Sequence, residues 1–159
     1  MIENKDEHSG IIFGPVPSRR LGMSLGVDVI PMKVCSYDCI YCELGKTTRR
    51  TIEKKEYVPE KIIAGAMERY FAKKHYGGLD YVTFSGSGEP TLNLKIGALI
   101  RRLKKLTDTP VAVLTNGSLL YDPQVREDLM RADLVIPSLD AAEQKTFVKV
   151  NRPEASLNV

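Results

Sequence analysis

The chain has three cysteines, and all fall within eight consecutive residues, Cys35-Ser-Tyr-Asp-Cys39-Ile-Tyr-Cys42. A disulfide framework uses an even, dispersed set, so this odd cluster points to metal or redox chemistry in a reducing compartment. Thiolates bind zinc or iron–sulfur clusters. Three of them leave a zinc site one ligand short. Carboxylates or the distant His8 and His75 would have to complete it, and neither histidine has finger-like spacing. A four-iron cluster held by three cysteines instead leaves one iron open to a substrate ligand.

Other segments carry polar groups suited to binding, each with a plainer structural reading. In Gly86-Ser87-Gly88-Glu89-Pro90 the glycines permit close backbone approach, and a carbonyl or carboxylate there can accept from an ammonium group. Alone, such a segment is only a turn. Asn116, in Thr-Asn-Gly, can polarise a ligand or simply form a turn with Gly117. Asp140, after Ser138-Leu139, also reads as a helix cap, and Arg152 as either a fork for a carboxylate or a solvated charge. Arg19, Arg20, Lys46, Arg49, Arg50, Lys54 and Lys55 flank the cysteines and read first as a solvated charge run.

These residues need a scaffold, and the hydrophobic pattern supplies one. Strands are expected over residues 25–30, 81–84, 111–114 and 134–136. A helix is expected over 59–74, with Ile62, Ile63, Ala66, Met67, Tyr70 and Phe71 as its apolar stripe. The next carries Leu92, Ile96, Leu99, Leu103 and Leu106. A third starts at Asp122-Pro123 with Val125, Leu129 and Met130 facing inward, and a short one covers 141–148. Strands alternating with helices imply an α/β fold with a parallel sheet, whose chemistry gathers at the C-terminal strand ends. The cysteine loop, Gly-Ser-Gly-Glu-Pro, Thr-Asn-Gly and Ser-Leu-Asp all fall there. Residues 14–20 read as an ordered loop, within a lead-in of residues 1–23 before a core of 24–159.

The composition, 43% hydrophobic and 27% charged, is that of an ordinary globular domain. No apolar run approaches the ~20 residues of a bilayer span, and the charged N-terminus lacks the apolar core of a secretory signal. No membrane association and a cytoplasmic location are expected. A net charge of +3 does not by itself imply nucleic-acid binding.

The Cys-x3-Cys-x2-Cys spacing, with Tyr41 before the last cysteine, resembles the signature of the radical S-adenosylmethionine (SAM) superfamily. The stretches 14–22 and 24–28, with Leu44-Gly45, resemble its iron–sulfur oxidoreductases grouped with wyosine-type tRNA-modification enzymes. The resemblance implies a [4Fe–4S] cluster on Cys35, Cys39 and Cys42, with the open iron chelated by SAM. It implies reductive cleavage to methionine and a 5′-deoxyadenosyl radical that abstracts hydrogen from a substrate: RNA, a peptide or a small metabolite. It places Tyr41 against the adenine, and Gly86, Ser87, Gly88 and Glu89 at the SAM amino group. Ser138 and Asp140 would lie beside its ribose or carboxylate, Arg152 would pair with the carboxylate, and Asn116 would polarise SAM. A reductant protein such as a flavodoxin or ferredoxin is the implied partner.

Cores of that superfamily usually form a partial barrel of six strand–helix units. About four are counted here, so the C-terminal units are expected to be missing, through a shortened chain, a half-core completed by a partner or second copy, or a degenerate remnant. The edge at 134–136 would then expose apolar faces and invite self-association. Two further readings stay open: a cluster-binding electron-transfer or regulatory module without SAM cleavage, and a zinc-stabilised binding protein.

Overall fold

The computed structural model describes residues 10–73 and 77–158; His8, Lys74 and His75 lie outside them. Strand β1 (Ile12–Ser18) pairs antiparallel with β2 (Gly22–Val27). Two short strands, β3 (Val34–Cys35) and β4 (Arg49–Arg50), pair with each other. Then come α1 (Glu60–Phe71), β5 (Tyr81–Phe84), a 3-10 turn (Pro90–Leu92), α2 (Ile96–Leu103), β6 (Val111–Thr115), α3 (Pro123–Leu129), β7 (Leu134–Pro137) and α4 (Gln144–Asn151). The main sheet has the order β1-β2-β5-β6-β7. From β2 to β7 every pairing is parallel, so the fold is mixed α/β with a mostly parallel sheet.

Residues 14–20, expected as a loop, are mostly strand. Pro15 and Pro17 argue against a central strand, but β1 lies at the sheet edge, where a missing N–H is tolerated, and its register shifts between Phe13 and Val16. Strand β2 is displaced from 25–30 because β1 holds it back to Gly22, while the Asp28 carboxylate accepts from the Ile30 N–H and turns the chain.

The core forms where the apolar pattern places it. Leu92, Ile96, Leu99 and Leu103 are buried, although Asn93 interrupts the helix by donating its amide to the Val29 carbonyl (2.9 Å). Asp122 caps α3 through the Gln124 N–H (2.8 Å), and Val125 and Leu129 are buried. Met130 does not face inward: it is 82% exposed, since it caps the helix one residue, about 100°, beyond Leu129. Helix α4 begins three residues later than expected because Glu143 is still extended, and it ends where Arg152 turns left-handed. At the β7 edge, Leu134, Val135 and Ile136 are half-buried rather than bare. No helix among the described residues is long and apolar enough to cross a membrane.

Candidate metal and cofactor site

The cysteine loop leaves the C-terminal end of β2 and is seated on the segment after β5. The Lys33 N–H donates to the Ser87 carbonyl (2.7 Å), and the Glu89 N–H to the Val34 carbonyl (3.2 Å). A Cβ on Gly88 would lie 1.9 Å from that Val34 oxygen, so only glycine permits this approach. Asp28 completes the seat by accepting from the Ser87 N–H (2.9 Å), and burial pushes its carboxyl above the usual range. A Cβ on Gly86 would strike that carboxyl. On the other side, the Asp38 and Ile40 N–H groups donate to the Asn151 and Val150 carbonyls (2.9 Å each). These bonds occupy carbonyls that the end of α4 leaves without helical partners.

All three cysteines are half-buried free thiols. Each sulfur faces a side-chain N–H donor from a different part of the chain. Asn116 Nδ2 lies 3.5 Å from Cys35 Sγ, Asn151 Nδ2 lies 3.5 Å from Cys39 Sγ, and Lys33 Nζ lies 3.1 Å from Cys42 Sγ. Tyr37, Phe147 and Leu157 form a small buried cluster against Cys35 and Cys39, with the two rings edge-on at 5.4 Å. Burial pushes the Cys35 thiol up to about 11 and the Tyr37 hydroxyl up to about 12. Among the described residues no three histidine, cysteine or carboxylate side chains converge as ligands of a single ion would. A polynuclear cluster takes each thiolate on a different metal and does not need that convergence. Three soft thiols, each facing an N–H donor and two of them beside an apolar wall, fit an iron–sulfur cluster.

Glu89 is buried and braces two strand ends. Its Oε1 accepts from the Thr91 N–H (3.1 Å), the Thr91 hydroxyl (2.5 Å) and the Thr115 hydroxyl (2.6 Å); its Oε2 accepts from the Asn116 N–H (2.7 Å). Burial raises its carboxyl above the ordinary range against the pull of those bonds. Through them Glu89 fixes Asn116, whose amide also donates to Ser36 Oγ (2.8 Å).

Beyond β6 and β7 lies a cavity of about 820 Å³, lined among others by Asn116, Ser138, Asp140, Phe147 and Asn151. That volume falls in the range of about 300–1,000 Å³ typical of small-molecule sites. The structure thus brings Asn116, Ser138 and Asp140 together around one space. Gly86, Ser87, Gly88 and Glu89 do not line it; they lie beneath the cysteine loop. Tyr41 donates its hydroxyl to Asp140, which also accepts from Asn151 Nδ2 (2.6 Å). Burial, then the Asp140 bond, raises the Tyr41 hydroxyl. Arg152 is outside the cavity lining, with its guanidinium 3.8 Å from the Asp38 carboxylate. The Thr47 N–H holds that carboxyl below its usual range, with Arg152 a smaller contribution.

Two residues of the site were missed in the sequence. Asn151 is buried and borders the cavity, and its Oδ1 has no hydrogen-bond partner among the described residues. An orphaned buried acceptor is what a bound ligand would satisfy. Lys33 is only 6% exposed. Neither residue type by itself announces an inward side chain.

The model of the radical SAM superfamily matches residues 29–157. A UPF0026 protein of Methanocaldococcus jannaschii is 45% identical over 92% of this chain and 46% of its own length. A protein named GTPase Obg, from Brachyspira hyodysenteriae, is 49% identical over 92% of this chain but only 21% of its own length. A probable GTP 3',8-cyclase of Saccharolobus islandicus is 30% identical over 77% of this chain and 37% of its own length. The chain spans about half the length of the UPF0026 relatives it matches.

Proposed function

This chain belongs to the radical SAM superfamily, and from that premise we propose that it holds a [4Fe–4S] cluster on Cys35, Cys39 and Cys42 and binds SAM in the adjoining cavity. When bound, these groups would supply one-electron reductive cleavage of the SAM sulfonium, the chemistry by which this superfamily starts hydrogen-atom abstraction from a substrate. The carrying observation is the position of the orphaned Asn151 Oδ1. Its amide faces Cys39 on one side, and the residue borders the 820 Å³ space on the other.

The residues divide the work. Ser138 and Asn116 offer hydrogen bonds to the polar groups of SAM, and Asn151 Oδ1 takes a donor from it. Asp140 is held by Tyr41 and Asn151, leaving its other oxygen for a ligand hydroxyl or ammonium. Tyr37, Phe147 and Leu157 keep water from the thiolates. Gly86 to Glu89 act by seating the cysteine loop and Asn116, and Arg152 would reach a SAM carboxylate only by leaving Asp38.

We read the reaction as an oxidoreductase-type step, with electrons from a flavodoxin or ferredoxin-like protein. The sheet is read as part of a partial barrel, extended at β7 by further units or by a second chain. Twofold longer relatives support that reading.

Anaerobic reconstitution, with iron and sulfide quantification and EPR of the reduced protein, tests the cluster. About four irons per chain are expected, and Cys39→Ala should take up none stoichiometrically. Reduction in the presence of SAM should then yield 5′-deoxyadenosine. Zinc without iron uptake would overturn the cluster, and a reducible cluster that never yields 5′-deoxyadenosine would leave an electron-transfer module.

A further inference from the structure

Lys33 has an unusual combination of features. It is 6% exposed, yet no ion pair to it exists among the described residues. A buried ammonium is expensive unless a partner offsets its lost hydration. The partner here is Cys42 Sγ at 3.1 Å. The backbone at Lys33 is left-handed, with φ of 61°, a conformation that glycine adopts freely and lysine does not.

That backbone is held from both sides. Its N–H donates to Ser87, and its carbonyl accepts from the Thr48 and Arg49 N–H groups (3.2 and 3.1 Å). The side chain therefore leaves from a fixed point toward the sulfur. A lysine retained only for its aliphatic stem would carry its head to water. This head stops inside the cysteine loop. The nearby Asp38 carboxylate is itself occupied by the Thr47 N–H.

We propose that Lys33 is the built-in countercharge of the cysteine loop, raising the reduction potential of the cluster that Cys35, Cys39 and Cys42 hold. This rests on the cluster reading above. Three thiolates around a four-iron core leave the assembly net negative, and accepting one electron from an external one-electron donor adds another negative charge. A fixed ammonium next to a ligand sulfur favours the reduced form more than the oxidised one. Asn116 and Asn151 give the other two sulfurs neutral donors at longer range, so Lys33 dominates the set.

The test is a spectroelectrochemical titration of the reconstituted chain, without SAM, read by EPR, on the wild type and Lys33→Met. Methionine keeps the length of the stem and removes the charge. With four irons per chain in both proteins, the ratio of reduced to oxidised cluster at a fixed potential should be about tenfold lower in Lys33→Met, a shift of about 59 mV for a one-electron couple. An unchanged ratio overturns the role of Lys33 while leaving the cluster standing. A wild type that takes up no cluster overturns the parent reading and this one together. Should Lys33→Met fail to load, Lys33→Gln carries the test, since it keeps an N–H donor and drops the charge. The same direction of shift is expected. Loss of loading in both variants makes Lys33 an assembly residue and overturns the assignment.

Discussion

The two flanks of the cysteine loop are built from similar residue types and behave differently. On the flank that carries Glu89, Thr91 and Thr115, the polar side chains are buried and satisfied by one another; Glu89 alone accepts four hydrogen bonds. On the flank formed by residues 137–140, the chain is exposed. Ser138 Oγ has no hydrogen bond among the described residues, and Asn151 Oδ1 nearby has none. A polar group whose capacity is used up internally holds structure; one with spare capacity can meet a ligand. The closed flank therefore seats the loop, and the open flank keeps capacity to spare.

The largest effect expected from this contrast is at Glu89. Glu89→Ala strands donors at Thr91, Thr115 and Asn116 and should lower unfolding free energy by about 2–4 kcal/mol in urea titrations. Glu89→Gln should cost less, because one acceptor oxygen remains. It should also change the pH dependence. Burial raises the Glu89 carboxyl in the folded chain above its ordinary 4.5, so the folded state binds this proton more tightly than the unfolded state. Its contribution is full below about 4.5 and is lost as pH rises through the folded value. Stability of the wild type should fall over that window, and Glu89→Gln should show a shallower fall. Asp28, raised for the same reason, keeps its own share. A mutant that unfolds like the wild type at every pH would break the contrast.

Gly88→Ala comes next. The added Cβ meets a backbone carbonyl rather than a movable side chain, so either the cysteine loop or the segment after β5 must shift. A loss of about 1–3 kcal/mol is expected, as for overpacking elsewhere. Iron stoichiometry should fall with it, because the loop is displaced at its base. Full stability with full loading would mean that the seat is looser than its geometry implies.

Much of this architecture was legible in the sequence, and the gaps have physical causes. Strands β5, β6 and β7 and the apolar stripes of α1 and α2 are local patterns, and they formed within a few residues of expectation. Strand β1 was hidden by Pro15 and Pro17, whose tolerance depends on being at an edge, a property of the whole sheet. In the site, the cysteines announced themselves by spacing. Gly88 and Glu89 were found, but the sequence could not tell a group that binds from one that braces, since saturation depends on Thr115 and Asn116, distant in the chain. Lys33 and Asn151 were invisible for the same reason: what makes them part of the site is where a turn and a helix end point them.

The smallest and sharpest effect is at Ser138. Its backbone N–H is anchored to the Thr115 carbonyl (2.9 Å), so the position is fixed while its exposed hydroxyl is free. Removing an exposed, unpartnered hydroxyl should change stability by no more than about 0.5 kcal/mol. If that hydroxyl meets SAM, Ser138→Ala should weaken binding by roughly twofold to tenfold, the worth of one neutral hydrogen bond. Anaerobic calorimetry on the reconstituted protein, paired with a urea titration, reads both quantities. The closed flank predicts the reverse pairing, a large stability loss at Glu89 with binding affected only through the fold. A Ser138→Ala protein with wild-type SAM affinity would remove the hydroxyl from the binding surface. One that unfolded as readily as Glu89→Ala would show that both flanks are braces, and the division between seat and receiver would fall.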